Sequence, residues 1–438
     1  MKFGGSSLAD ASAFERVARI VCSCENKSRV VVVSAMSGMT DALLVSARAA
    51  ADGNLKSAIP LLETQFTRHQ AVAENVLRAS LSSALSFINS SRKEIESILY
   101  ELYDVRYLSP RIQDQIVSYG EQLSAQLMTL ILVQHGQEAV YVDARRCILT
   151  NEEHGAAQVL SEESEQRTRA ALLPLLSSQS IPVLGGFFAV STSGATTTLG
   201  RGSSDYTATL VSAALRARET QIWTDVDGVM SADPQLIQTA QLIPRLSYDE
   251  AAELARFGGK VLHPKTIRPV AKIGIPLRVC NSRNPASAGT VVSAVQGERG
   301  LKAIAHKTGV TVIDFASSRS FMSNGFRTAV ERLFHEQNAT VDIVGKDVAE
   351  ARLICEPTDN MRAIVENLEK LGTVRVENDL GVICCVGSSA DELKDLHPGI
   401  QWQNISSVSS ITLVPAQSVR QLVAVLHEQI VNESRTRS

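Results

Sequence analysis

Residues 29–38, RVVVVSAMSG, followed at 41–51 by DALLVSARAAA, decide how this chain folds. Four consecutive valines leave no polar face for solvent, so the run reads as a strand buried on both sides, the kind found in parallel sheets covered by helices. Behind it, apolar residues recur at three and four positions, as on a helix that lies back over the sheet. The same grammar returns in IPVLGGFF at 181–188, QIWTDVDG at 221–228 and IPLRVCN at 275–281, with the helical patterns EQLSAQLMTLILVQH and DYTATLVSAALRA between them. Alternation from residue 1 to about 290 predicts one large three-layer α/β/α domain with a mostly parallel central sheet. Ligands of such sheets bind outside the carboxyl ends of the strands.

After a small-residue linker, Asn284-Pro285-Ala286-Ser287-Ala288-Gly289, the units shorten. TVIDFAS, GFRTAVERLFHEQN, TVDIVGKD, EARLICE, NMRAIVENLEKLG and TVRVEND read as strand, helix, strand, strand, helix, strand. GVICCVGS, ADELKDLHPG, IQWQNIS, SSITLVPA and SVRQLVAVLHEQIV form a second, shorter series with a poor first helix. Two βαββαβ units of ferredoxin-like topology are expected in 291–438, pairing sheet edge to sheet edge in a binding and dimerising region.

At 438 residues the chain exceeds one ordinary core. With 44% apolar and 20% charged residues and a net charge of −3, it has neither the composition of disorder nor a basic excess to attract nucleic acid. Its seven cysteines are odd in number and mostly sit in apolar runs, as reduced core thiols do. Cys22 with Cys24, and Cys384 with Cys385, lack the CxxC partners of a metal site. No secretion-signal pattern opens the sequence and no uninterrupted apolar stretch reaches about 18 residues. A cytoplasmic protein without a membrane partner is expected.

The chemistry has to come from glycine-rich turns, because GxxxxGK[ST], HExxH and GxSxG are all missing from the sequence and the histidines are dispersed. In MKFGGSSLADASAFERVARI, Lys2 ends a short strand and Gly4, Gly5 and Ser6 turn into a helix, where backbone N–H groups and an ammonium suit phosphate. In SAMSGMTD, Ser34 ends the valine strand and Thr40 stands just ahead of the next helix. VSYGEQLSAQLM sets Glu121 on the first turn of a helix that opens after Gly120, either serving the helix dipole or facing a ligand ammonium. In TTLGRGSSDYTATLVSAAL, 197–215, Arg201 offers a planar fork for a carboxylate, and Ser204 and Asp205 begin a helix, with Asp205 either a cap or an orienter of lysines. WTDVDGVMSADPQ ends a buried strand in Thr224-Asp225 before a polar loop suited to a nucleotide, and FGGKVLHPKT opens a helical segment at Lys260. Each element alone has an ordinary structural reading. Together they describe an anion site with two lysines, a carboxylate clamp and an acidic residue for an amine.

KFGGSS, the SxGE of Ser118–Glu121, GRGSSDYTA, WTDVDGV and FGGKVLHP stand in the order and spacing of the aspartokinases, members of the amino acid kinase family. The resemblance covers essentially the whole chain, and the carboxy-terminal units resemble paired ACT modules with one inserted in the other. It implies a catalytic domain at 1–290 and a regulatory region at 291–438, with a first module at about 309–379 and a second made of 299–308 plus 380–438. It implies ATP-dependent phosphorylation of the side-chain carboxylate of L-aspartate to 4-phospho-L-aspartate, the first step of lysine, threonine and methionine biosynthesis. By the same resemblance Lys2, Asp205 and Lys260 are catalytic, and Ser34, Thr40, Glu121, Phe187, Arg201 and Ser204 hold the substrate. Lys2, Phe3, Gly4, Gly5, Thr224, Asp225, Met230, Gln235, Lys260 and Val261 line the nucleotide. Mg²⁺ is expected mainly on ATP phosphates, with no protein ligand named. A homodimer through the ACT modules and an amino acid effector such as lysine are implied, the effector near Ser323, Phe326, Val341 and Asp342.

The sequence also departs from the pattern. Met230 and Gln235 replace a tyrosine and an arginine common in the family, so altered ATP binding is expected. Only Met1 precedes Lys2, so a start short of the true one is expected, and Pro398-Gly399 interrupts the helix of the second module. Arg327 and Asp347 do not match the lysine-inhibited relatives. No dehydrogenase domain follows residue 438, so a bifunctional enzyme is not expected. The competing readings are a related kinase of acetylglutamate, glutamate or carbamate, and an ACT-type sensor with a decayed kinase domain.

Overall fold

The computed structural model describes residues 1–438 except Lys27, Arg201, Lys260, 296–299, 317–324, Asn338, 348–349 and Ser438. The chain forms two compact units: Met1–Gly228 with Lys265–Ala294, and Val229–Pro264 with Val295–Ser438.

The valine run is a strand, Val31–Val33, as its composition demands, and all three residues are buried. It lies inside a sheet of the first unit with the strand order Ala139–Val142, Ile181–Gly185, Val31–Val33, Lys2–Phe3, Thr220–Thr224, Leu277–Asn281, Thr290–Ser293. Every neighbouring pair is parallel except the last. The side chains of one strand feed two different cores, as a two-residue period requires. Ile181 and Val183 pack with helices Ala11–Ser23, Met39–Ala51, Leu55–Val76, Leu81–Val105 and Pro110–Gln134. Leu184 packs instead with Leu172 and Val211, from helices Ser161–Ser177 and Ser204–Leu215. Three layers follow from that division.

Helix Pro110–Gln134 corrects one expectation. Ser109 caps it by accepting from the N–H of Ile112, and Pro110 supplies the preset first turn. Gly120 therefore lies inside the helix, not before it. A Cβ at Gly120 would stand 2.8 Å from Cβ of Ala35, so the glycine is there for close packing against the second residue beyond the valine strand. Among the described residues this helix is long and apolar enough to cross a membrane by length and composition, and 72% of its most apolar window is buried in the protein. Its apolarity is that of a core element.

The second unit contains an antiparallel sheet in the order Val341–Asp347, Glu350–Cys355, Ala303–Ala316, Thr373–Val386, Ser409–Pro415, Gln403–Asn404. TVRVEND and GVICCVGS, which read as two strands, form one continuous strand. Asp379 adopts a left-handed φ of 57° and Gly309 one of 69°, and pairing with the neighbouring strand slips there rather than turning back. The Asn-Asp-Leu-Gly stretch is thus a bulge. Two cores lie along this sheet: one formed with helices Gly325–Glu336 and Met361–Glu369, the other with Ala390–Leu396 and Val419–Arg437. Ala232 and Ile237 join the latter core.

Candidate active site

Parallel strands leave their carboxyl ends to be closed by loops, and here each loop start is tied to the end of the neighbouring strand by a main-chain bond. The N–H of Gly4 donates to Trp223 O at 3.1 Å, that of Ser34 to Phe3 O at 3.0 Å, and that of Gly186 to Val33 O at 2.9 Å. Gly186 is required by proximity, since a Cβ would lie 2.6 Å from Cα of Ser204 at the start of helix Ser204–Leu215. This approach carries Asp205 to the central strand. Lys2 Nζ lies 2.6 Å from Asp205 Oδ1, with 10% and 16% of the two side chains exposed. Asp205 is therefore no mere cap. It fixes an ammonium at the mouth of the sheet, and a Cβ on Gly4 would crowd that ammonium at 3.4 Å.

A cavity of about 320 Å³ in the same unit is lined by Ser34, Thr40, Glu121, Phe187 and Ser204, together with Asp114, Gly155 and Thr198. Five of the six expected substrate residues thus share one wall system; the sixth, Arg201, lies outside the described residues. Thr40 is the second residue of helix Met39–Ala51 rather than standing ahead of it. Phe187 has φ of 70°, a strained conformation for a bulky residue. It is held by donation from its N–H to Thr207 Oγ1 at 3.0 Å and by acceptance from Leu199 N–H at 2.9 Å.

Glu121 is the chemical anomaly of this cavity. It sits mid-helix and is 4% exposed, so the dipole of a helix start does not stabilise it. Oε1 accepts from the N–H of Ala35 at 3.1 Å, while Oε2 is buried without a hydrogen-bond partner. Burial pushes its carboxyl up to about 8, outweighing the N–H bonds from Ala35 and its own backbone and the charge of Lys2. An uncompensated buried carboxylate oxygen is costly. A ligand ammonium would relieve it.

On the neighbouring strand end, Thr224 donates to Asp225 Oδ1 at 3.2 Å, and Asp225 lies 3.8 Å from an exposed Arg283 guanidinium. The Gly4-Gly5 turn forms a short 3-10 segment, Gly5–Leu8, and the α-helix expected there begins only at Ala11, capped by Asp10. Met230, Gln235 and Val261 belong to the second unit. Met230 bridges Leu242 there, and the Gln235 N–H donates to Asp233. Lys260 lies outside the described residues, and the helix expected at that point begins at Pro264.

Of the expected effector residues, Ser323 lies outside the described residues, as does the side chain of Phe326, which stands in helix Gly325–Glu336. Val341 and Asp342 open the strand at one end of the second unit's sheet. Asp342 is already paired: Arg256 Nε lies 2.9 Å from one oxygen and Lys307 Nζ 3.3 Å from the other.

Sequence reading missed Asp114, Gly155 and Thr198. The signal was available for one of them: Asp114 stands seven residues before Glu121, two helical turns away on the same face, a carboxylate where the pattern called for an apolar side chain.

Residues 1–281 match the profile of the amino acid kinase family. The chain is 31% identical to lysine-sensitive aspartokinase 3 of Escherichia coli (strain K12), covering 98% of both sequences. The chain belongs to the amino acid kinase family and, within it, to the aspartokinases. It is also 32% identical to a chloroplastic aspartokinase 1 of Arabidopsis thaliana, over 89% of this chain and 70% of the relative. Among solved structures, E. coli aspartokinase III in complex with aspartate and ADP, described as the R-state, superposes with a TM-score of 0.80 at 30% identity, covering 96% of this chain and 97% of the other. The same enzyme in complex with lysine and aspartate, the T-state, gives 0.77 at 31% identity over 98% of each chain.

Proposed function

We propose that this aspartokinase transfers the γ-phosphoryl group of ATP to the side-chain carboxylate of L-aspartate, with Glu121 receiving the substrate's α-ammonium. The observation that carries the reading is the buried, unpartnered Oε2 of Glu121 in a cavity of about 320 Å³. An N-acetylated amine has no positive charge to offer it, which disfavours acetylglutamate. A decayed site would have little reason to keep Lys2 and Asp205 at 2.6 Å.

In this reading Ser34, Thr40, Phe187, Ser204 and Arg201 hold the substrate. Phe3, Gly4, Gly5, Thr224, Asp225, Met230, Gln235 and Val261 take the nucleotide. A substrate carboxylate oxygen attacks the γ-phosphorus, and the bond from that phosphorus to the bridging oxygen of ADP breaks. The nucleophile is already an anion, so no general base is needed and catalysis consists of positioning and charge neutralisation. Lys2, fixed by Asp205, and Lys260 neutralise the migrating group. Among the described residues no group of three His, Cys, Asp or Glu side chains is arranged to hold a metal ion. A Mg²⁺ carried mainly by the ATP phosphates and water would supply charge neutralisation.

We further assign residues 1–290 to catalysis and 291–438 to regulation by two ACT modules, about 309–379 and 299–308 plus 380–438. Residues 303–307 pair with 382–386 while 312–316 pair with 373–377, which supports the inserted arrangement. A cytoplasmic homodimer formed through these modules and responsive to lysine completes the proposal.

Coupled release of ADP with L-aspartate, L-glutamate and N-acetyl-L-glutamate tests it, with hydroxylamine trapping any acyl phosphate as a hydroxamate. Turnover and hydroxamate with L-aspartate are expected. Turnover with N-acetyl-L-glutamate, or none with L-aspartate, overturns the reading.

A further inference from the structure

Asp114 and Glu121 stand two turns apart on the same helix, line the same cavity and are almost equally buried, at 1% and 4% exposed. Their partners differ completely. Asp114 accepts from the hydroxyl of Thr198 at 2.5 Å, from the N–H of Gly155 at 3.1 and 3.0 Å, and faces His154 Nδ1 at 2.9 Å. Both of its oxygens are engaged by the protein, so it has no open position for a substrate ammonium and its charge is compensated before any ligand arrives.

The segments it ties down are those that complete the cavity. Gly155 lies on the loop after the Leu149–Thr150 strand, and Thr198 ends the Thr196–Thr198 strand, two residues ahead of Gly200 and three ahead of the expected carboxylate clamp at 201. The two are also joined to each other's neighbourhood: the N–H of Ala157 donates to Thr198 O at 2.8 Å, and the hydroxyls of Thr150 and Thr197 meet at 2.8 Å. The next residue, Leu199, donates to the carbonyl of the strained Phe187. A buried anion thus gathers one loop and one strand end onto the helix that presents Glu121.

Resting on the functional reading above, we infer that Asp114 is a positioning residue for the acidic substrate. It sets the distance between the ammonium acceptor on its own helix and the segment that delivers the carboxylate-binding turn. It touches no reacting atom. Its effect should therefore appear in the affinity for L-aspartate and not in the handling of ATP, which binds at the other strand ends.

The test uses the full chain and compares Asp114→Asn, Thr198→Val and Thr198→Ser by KM for each substrate, kcat and thermal midpoint. Loss of a bond to a charged group predicts a rise of about tenfold or more in KM for aspartate in Asp114→Asn, and about threefold in Thr198→Val. KM for ATP should stay within about twofold, and Thr198→Ser, which restores the hydroxyl, should return KM for aspartate to that of the unaltered chain. If Asp114→Asn does not fold, the Thr198 pair decides alone. The inference is overturned if KM for aspartate stays unmoved in the folded variants, or if both KM values and kcat shift together with the thermal midpoint. Absence of aspartate turnover by the unaltered chain overturns the functional reading and this inference with it. Normal turnover with unmoved variants overturns the inference alone.

Discussion

Two acidic side chains in different units, Glu121 in the candidate substrate cavity and Asp342 among the expected effector residues, stand in opposite states. Glu121 keeps one oxygen buried and unpartnered, whereas Asp342 has Arg256 on one oxygen and Lys307 on the other. Arg256 is itself held, donating to the carbonyl of Ile343 at 3.0 Å. In the proposed reading Glu121 gains a partner when the substrate binds, with none to give up at Oε2. Were Asp342 to take an effector ammonium, it would first release existing partners, so part of the intrinsic affinity would be lost in the exchange. An open acid suits a substrate that must always bind, and a filled one suits a regulator whose binding has to compete.

The largest expected effect comes from closing the open acid. Glu121→Gln keeps the shape and removes the charge, and loss of a charge-assisted bond predicts a rise of about 10- to 100-fold in KM for aspartate with a much smaller change in KM for ATP. Initial rates at varied aspartate and saturating ATP measure it. An unchanged KM for aspartate would break the comparison at its stronger end.

A second effect follows from the carboxyl of Glu121 being raised to about 8 by burial. A substrate ammonium requires the ionised form, so binding below pH 8 must release a proton, and aspartate affinity should strengthen by up to about tenfold per pH unit until pH 8 and then level off. The sign for stability is opposite. Between the ordinary range of a glutamate and pH 8 the unfolded chain loses this proton while the folded one keeps it, so stability contributed at this position declines as pH rises through that window. Calorimetric titration of aspartate in buffers of different ionisation enthalpy reports the proton, and Glu121→Gln should abolish its release. No proton release at pH 7 would mean that the carboxyl is already ionised in the free protein.

Much of this site was legible because its residues punctuate strands. Ser34, Thr224 and Asp225 all follow or close apolar runs, and such runs fix where a parallel sheet opens, whereas Lys2, expected to end its strand, is the first residue of Lys2–Phe3. Asp205 was legible as a helix start, but its pairing with Lys2, over 200 residues away, is a consequence of Gly186 letting Ser204 approach. Glu121 was read at a helix start and lies mid-helix. Gly120 looked like a helix boundary because glycine lowers helix propensity, and nothing local reveals that Ala35 packs on it. Asp114 was missed for a related reason, since the three groups that make a buried carboxylate tolerable come from residues 154, 155 and 198. In the second unit the Asp379 bulge read as a turn because a left-handed residue serves either purpose, and only pairing to both halves of Ala303–Ala316 decides between them.

The smallest effect tests the filled acid. Arg256 belongs to helix Tyr248–Arg256, whose start is fixed by a capping box between Ser247 and Glu250, and Glu250 is anchored in turn by Lys302 at 2.5 Å. Arg256 reaches Asp342 from this anchored helix. Both side chains are mostly buried, with 22% and 21% exposed, so water only partly screens the pair. If lysine is the effector and its ammonium seeks Asp342, Arg256 is its competitor. Arg256→Ala should then lower the lysine concentration for half-inhibition about threefold to tenfold, with Lys307→Met giving a weaker shift in the same direction because its contact is longer. Initial rates across a lysine titration at fixed aspartate measure both. A rise in that concentration would make Arg256 part of the effector site and Asp342 an anchor for it, which reverses the contrast with Glu121. The guanidinium would then be presented to the effector's carboxylate, a role that Arg256→Lys should fill poorly because a single ammonium cannot reproduce the planar fork.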